Sequence, residues 1–243
     1  MTILNGVLPG RTSASRTHGT TIRLLVVSLL LVASAACQIQ ASLQRWISAR
    51  QGLASDDVTI EDHRFDYDFR SESWEPIGSA AQVYGTGMIL LALGVLTFGH
   101  ALGRVGGGSR LLGLLAMLAI AVPFALFGLD AVVAGLSGQT TPISSVTLIL
   151  TLINLAGFVG LGVLTRTKIT MTLPEIWVGV FLFGSSFPGY FIATFFLAPV
   201  INGDTSYDTT PWTETVLGAT TAAAGIAALI AAWCSIPRNK PTP

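Results

Sequence analysis

Residues 111–136 read LLGLLAMLAIAVPFALFGLDAVVAGL, twenty-six positions with a single ionisable side chain, Asp130. At about 1.5 Å per residue, a helix of this length crosses the roughly 30 Å hydrocarbon layer of a bilayer. Five other stretches share its character: 22–44, 79–101, 145–165, 175–199 and 213–235. Their interiors are rich in Leu, Ala, Gly, Val and Phe and lack the ten-residue alternation of a membrane barrel. Lipid gives the backbone no hydrogen-bond partner, so each segment must satisfy its own amides as a helix. The sequence therefore predicts an all-α integral membrane protein with six transmembrane helices.

The whole-chain composition agrees. Thirteen Lys and Arg and thirteen Asp and Glu make up 11% of 243 residues, against roughly 25% in a soluble domain. Hydrophobic residues reach 51% and the mean hydropathy is +0.67. Zero net charge supplies no basic patch for nucleic acid. The two cysteines, Cys37 and Cys234, fall at different depths, which excludes an intramolecular bridge and a cysteine metal site. No cofactor and no metal are expected.

Orientation follows from the basic residues. Arg11, Arg16, Arg23, Arg104, Arg110, Arg166, Lys168, Arg238 and Lys240 share one side if six spans alternate, and that side is cytoplasmic by the positive-inside rule. Residues 1–21 and 236–243 are then cytoplasmic tails. The five tryptophans, Trp46, Trp74, Trp177, Trp212 and Trp233, fall at span ends, as headgroup anchors would. The first span is read as a retained anchor whose helix runs on past Cys37; Ala33-Ser34-Ala35 leaves a cleaved signal as the alternative. Helix entries are expected at Thr172-Leu173-Pro174-Glu175, a capping box, and at Thr141-Pro142 and Thr210-Pro211.

The one sizeable soluble piece, 45–78, carries eight acids and four arginines and lies outside. Phe65, Tyr67 and Phe69 alternate with Asp66, Asp68 and Arg70, which suggests a strand; with Val58 and Ile60 as partner it would form a small β-hairpin cap. Its aromatic face would lie on the helix ends and its carboxylates would face water. Asp62, His63, Asp66 and Asp68 are the candidate binding residues of this cap. In a strand Arg64 would share the face of the acids and His63 would oppose it, so the pattern reads as a recognition surface rather than a metal site.

Within the spans, Asn154 stands out as the strongly polar side chain near mid-depth, while Asp130 is expected at the hydrated outer interface. Gly184-Ser185-Ser186-Phe187-Pro188-Gly189 predicts a kink in the fifth span, with Ser186 and Pro188 as candidate substrate-facing positions. Phe183, Phe187, Phe191 and Phe195 would form an aromatic stripe on that span. Gly184-x-Ser186 also resembles the serine motif of rhomboid proteases, but the following glycine and a histidine in the last span are missing, so no general base is available. Gly218, Ala222 and Gly225 on the last span, and Gly99 on the second, offer close-packing faces within the chain or between copies.

The expected role is a non-catalytic multi-pass membrane protein of the cell (inner) membrane. It would be an accessory, assembly or sensing subunit that uses its acidic outer loop to bind a protein partner, or a homo-oligomer joined through small-residue helix faces. The alternative is a permease or the membrane subunit of an ATP-driven exporter.

Overall fold

The computed structural model describes residues 11–49, 65–67, 70, 74–102, 108–140, 146–167, 171–203 and 210–236. Helix α1, Arg11–Leu43, continues through a π-helical turn, Gln44–Ala49. It is followed by α2, Ala80–Leu102, α3, Gly108–Ser137, α4, Thr147–Thr167, and α5, Leu173–Gly184. Then come α6, Phe187–Ile192, a second π-helical turn, Ala193–Leu197, α7, Ala198–Asn202, and α8, Thr213–Cys234. No strand occurs among the described residues. Five helices are long and apolar enough to cross a membrane, and six if the bent pair Leu173–Gly184 and Phe187–Asn202 counts as one span. The chain is thus an all-helical, multi-pass membrane protein.

Neighbours pack antiparallel in the order α4, α3, α2, α1, α8, α5. Ser34 on α1 meets Gly87 on α2. At opposite ends of α1, Thr21 meets Ser235 and Ser42 meets Thr215 of α8. The end where α1 finishes and α2 and α8 begin is called the cap end below. Small residues set the closest crossings. A Cβ on Gly128 of α3 would stand 2.7 Å from the Gly85 carbonyl oxygen of α2, and a Cβ on Gly85 would collide with the Gly128 carbonyl. Gly218 and Gly225 of α8 lie against Ile39 and Val32 of α1, and Gly99 against Met117 of α3, so these close-packing faces are filled within the chain. Bulky side chains on the outward faces, such as Leu29, Leu148, Leu152 and Val200, are exposed, as lipid contact requires.

The helix starts follow local chemistry. The Thr172 amide donates to Glu175 Oε2 at 2.7 Å, which buries Glu175 as a capping group in the first turn of α5. Thr210-Pro211 behaves differently from the expected entry. Helix α8 starts at Thr213 after Trp212, which takes φ +72°, and the Thr210 hydroxyl donates to the Thr194 carbonyl of the preceding element at 2.7 Å. The Thr141-Pro142 entry lies outside the described residues.

The expected kink in the fifth span is a full break. Helix α5 stops at Gly184, Ser185 and Ser186 cross the gap, and the next helix leaves at 71°. Pro188 lies in the first turn of α6, where its missing N–H costs nothing, so it starts a helix rather than bending one. Gly189 is wedged against the Gly184 carbonyl with no room for a side chain. The break also dissolves the aromatic stripe. Phe183 meets Phe158 of α4 edge-on at 5.4 Å, whereas Phe191 and Phe195 pair on the other arm.

Candidate functional site

Two features converge at the cap end. The first is a pair of buried arginine latches. The π-helical turn at the end of α1 brings the consecutive residues Arg45 and Trp46 both into the interior, at 3% and 4% exposure. The Arg45 guanidinium pairs with Glu214 in the first turn of α8 and, at 3.3 Å, with Asp66 of the loop. Trp46 Nε1 donates to the second Glu214 oxygen at 2.7 Å, and the Arg45 guanidinium lies 4.7 Å from the Trp46 ring. Arg70 forms the second latch. It pairs with Asp130 on α3, donates to the Tyr67 carbonyl at 2.6 Å and lies over Trp74 at 5.6 Å. Tyr67 adds an aromatic contact with Tyr84 of α2, ring centres 4.7 Å apart. Four elements of the bundle, α1, α2, α3 and α8, are tied in this way to one short stretch of loop.

Several expectations change here. Asp66 does not face water: it is fully buried against Arg45, and Phe65 to Tyr67 form a turn and bend rather than a strand. The period-two pattern was overridden because an arginine inside an apolar bundle must find a carboxylate. Asp130 is not a hydrated interfacial group but the buried partner of Arg70. Trp46 and Trp74 are packed on the latches instead of anchoring in headgroups, whereas Trp177 and Trp233 are exposed. Asp62, His63 and Asp68, with the proposed strand at Val58 and Ile60, lie outside the described residues.

The second feature is a cavity of about 60 Å³ in the cap-end half of the bundle. Asn154, Ser185 and Ser186 give it a polar wall, and Phe124, Phe127 and Tyr84 an aromatic one. The structure thus brings two expected positions, Asn154 and Ser186, to one cavity, while Pro188 does not line it. Asn154 Nδ2 donates to the Ile120 carbonyl of α3 at 2.9 Å, and its Oδ1 has no protein partner. Tyr84 belongs to both features, because it lines the cavity and carries Tyr67 of the latch.

Comparison with family models, with curated proteins and with solved structures returns no match. The site therefore rests on its own chemistry.

Asn154 is not alone at its depth. Gln38 of α1, buried at 2% exposure, donates to Ser34 Oγ at 2.9 Å and reaches Thr221 Oγ1 of α8 at 3.4 Å. Ser185 at the break continues the chain, 2.9 Å from Thr221 Oγ1. This polar belt joins α2, α1, α8 and α5, and hydrogen bonds of its kind contribute about 0.6–2 kcal/mol each in membranes. Gln38 carries a signal that hydropathy averaging conceals, an amide with small hydroxyl residues, Ser34 and Ser42, one turn before and after it.

Proposed function

We propose that the chain is a non-catalytic, multi-pass membrane protein, an accessory, assembly or sensing subunit whose loop 45–78 binds the cationic face of a protein partner outside the cell membrane, with both tails cytoplasmic. One observation carries this reading. Two of the loop's four arginines, Arg45 and Arg70, and one of its eight acids, Asp66, are withdrawn into buried pairs. Beyond those pairs the sequence of the loop holds seven further acids and two further arginines. The latches fix residues 66 and 70 to the helices, so a partner would meet a loop held at two points instead of a free tether. Anchoring lowers the entropy cost of association, and charge complementarity selects the partner.

Replacing Asp62, Asp68 and Glu72 together by Asn, Asn and Gln spares both latches. Cross-linking in membranes followed by purification is expected to show at least about tenfold less complex for this variant, with insertion and melting temperature unchanged. Full retention of the complex would sink the reading.

The alternative, a permease or exporter subunit, draws support from the break at Ser185 and Ser186 beside a polar cavity, since discontinuous helices often carry substrate sites near the membrane midplane. Under that reading the triple substitution in the loop leaves transport intact.

A further inference from the structure

We propose that the seam between α4 and α5 binds one anionic phospholipid, with an acyl chain lying in the seam and the phosphate at Arg166. This inference is independent of the role given to the loop.

The bundle is open at this place. Helix α4 packs on α3 and α5 on α8, so these two helices are the end members of the packing order, and they touch through side chains such as the edge-on pair Phe158 and Phe183. Between them runs a groove of about 340 Å³, walled by Leu155, Val159 and Gly162 of α4 and by Ile176, Gly179 and Phe183 of α5. Gly162 lies near the end of α4 and Gly179 near the start of the antiparallel α5, so the two missing side chains stand at about the same depth. A Cβ added at either would touch nothing within 4 Å. Val159 and Ile176 are exposed, which turns the mouth of the groove toward lipid.

The length of the groove selects its occupant. From Leu155 to Arg166 the helix rises by about 16 Å, half of a hydrocarbon layer of about 30 Å. That is the depth of one leaflet, which an acyl chain fills. A partner helix or a second copy would need two walls across the whole layer, whereas α5 stops at Gly184 and the next helix leaves at 71°. The groove is also smaller than a single helical turn, which at about 10 Å width and 5.4 Å pitch occupies about 420 Å³.

The charge sits where the chain would end. Leu155, Val159, Gly162 and Arg166 recur at spacings of four, three and four, so Arg166 continues the groove wall by one turn. It closes the span Thr147–Arg166, which sets its guanidinium at headgroup level. The side chain is exposed and forms no ion pair among the described residues. Glu175, the acid at the start of α5, is buried and accepts from the Thr172 amide, and no acid among the described residues is exposed at this end. A cation at the mouth of an apolar groove one leaflet deep matches a phosphate esterified to an acylated glycerol. An anionic headgroup leaves the charge of that phosphate to Arg166, whereas a zwitterionic one brings its own cation.

The test uses the full chain in phosphatidylcholine nanodiscs doped with phosphatidylglycerol that carries a mid-chain photoreactive diazirine, compared with phosphatidylcholine carrying the same chain. Labelled peptides are mapped by mass spectrometry. The glycerol lipid is expected to label 155–162 and 176–183 about fivefold more than the choline lipid, equivalent to about 1 kcal/mol for one cationic side chain. Arg166→Gln should bring the two probes to equal labelling. Arg23→Gln, which removes an exposed cation at the same end but on α1, should leave the preference intact. Gly162→Phe and Gly179→Phe, which fill the seam from open positions, should each lower labelling by both probes at least about fivefold. Equal labelling of the parent by the two lipids would overturn the proposal. So would a preference that survives Arg166→Gln or is lost equally in Arg23→Gln, the mark of a general surface potential. Parent-level labelling of a seam-filled variant that keeps the parent's melting temperature, or cross-links from these peptides to a second copy in place of lipid adducts, would overturn it as well.

Discussion

Arg45→Ala should lower the unfolding free energy by about 3–5 kcal/mol, the cost of removing one partner from a buried ion pair. The loss is large because the guanidinium serves two carboxylates at once. Without it Asp66, at 0% exposure, and Glu214, at 2%, are left within a few ångströms of the same empty site. Trp46 Nε1 then stands as the remaining donor to Glu214 seen in the latch, and one neutral donor does not offset a buried charge. Asp66→Asn should cost less, about 1–3 kcal/mol, because Arg45 keeps Glu214 and an amide oxygen still accepts. Chemical unfolding in detergent micelles measures both. An Arg45→Ala variant within about 1 kcal/mol of the parent would mean that the latch contributes no more than an exposed surface pair.

Gly189→Ala is the second severe substitution, with an expected loss of about 3 kcal/mol, at the upper end for overpacking. The Cβ would collide with the Gly184 carbonyl, which is backbone and cannot rotate aside as a side chain can. Relief would require α5 and α6 to separate at the break, displacing Ser185 and Ser186 from the polar belt and the cavity wall. Gly179→Ala is the matched control. Its Cβ meets nothing within 4 Å on a regular helix, and its stability should stay within about 1 kcal/mol of the parent. Unfolding of the two variants side by side separates crowding at the break from any general intolerance of glycine replacement.

Hydropathy made the helical, membrane-spanning class legible, because lipid enforces the pattern along each segment by itself. The Thr172–Glu175 cap was legible for the same reason, since both partners lie within one turn. The latches were not. Arg45 and Glu214 are 169 residues apart, and nothing in either flank names the other. Arg70 and Asp130 are likewise joined only once α3 is in place. Asp66 was misassigned to water because its alternation with Phe65 and Tyr67 has a period of two, while the deciding term is a charge on another element. At the break, Pro188 drew attention as the cause of a kink, yet Gly189 fits against Gly184 and Ser186 precedes the new helix. Proline after a polar residue reads equally well as a helix start, and local sequence does not choose between the two. Asn154 and Ser186 were legible as unusual residues within apolar spans, but their shared cavity depends on how α4 and the broken span approach.

A double-mutant cycle at Arg70 and Asp130 tests most directly whether the loop between α1 and α2 is fixed to the bundle, because one partner belongs to the loop and the other to α3. Arg70→Met and Asp130→Leu should each destabilise by about 3–5 kcal/mol, since each strands a buried charge. The double variant, with no charge left to strand, should lose well under the sum, giving a coupling energy of about 2–3 kcal/mol. Strictly additive losses would show that loop and helix do not meet, and the anchored cap would have to be abandoned.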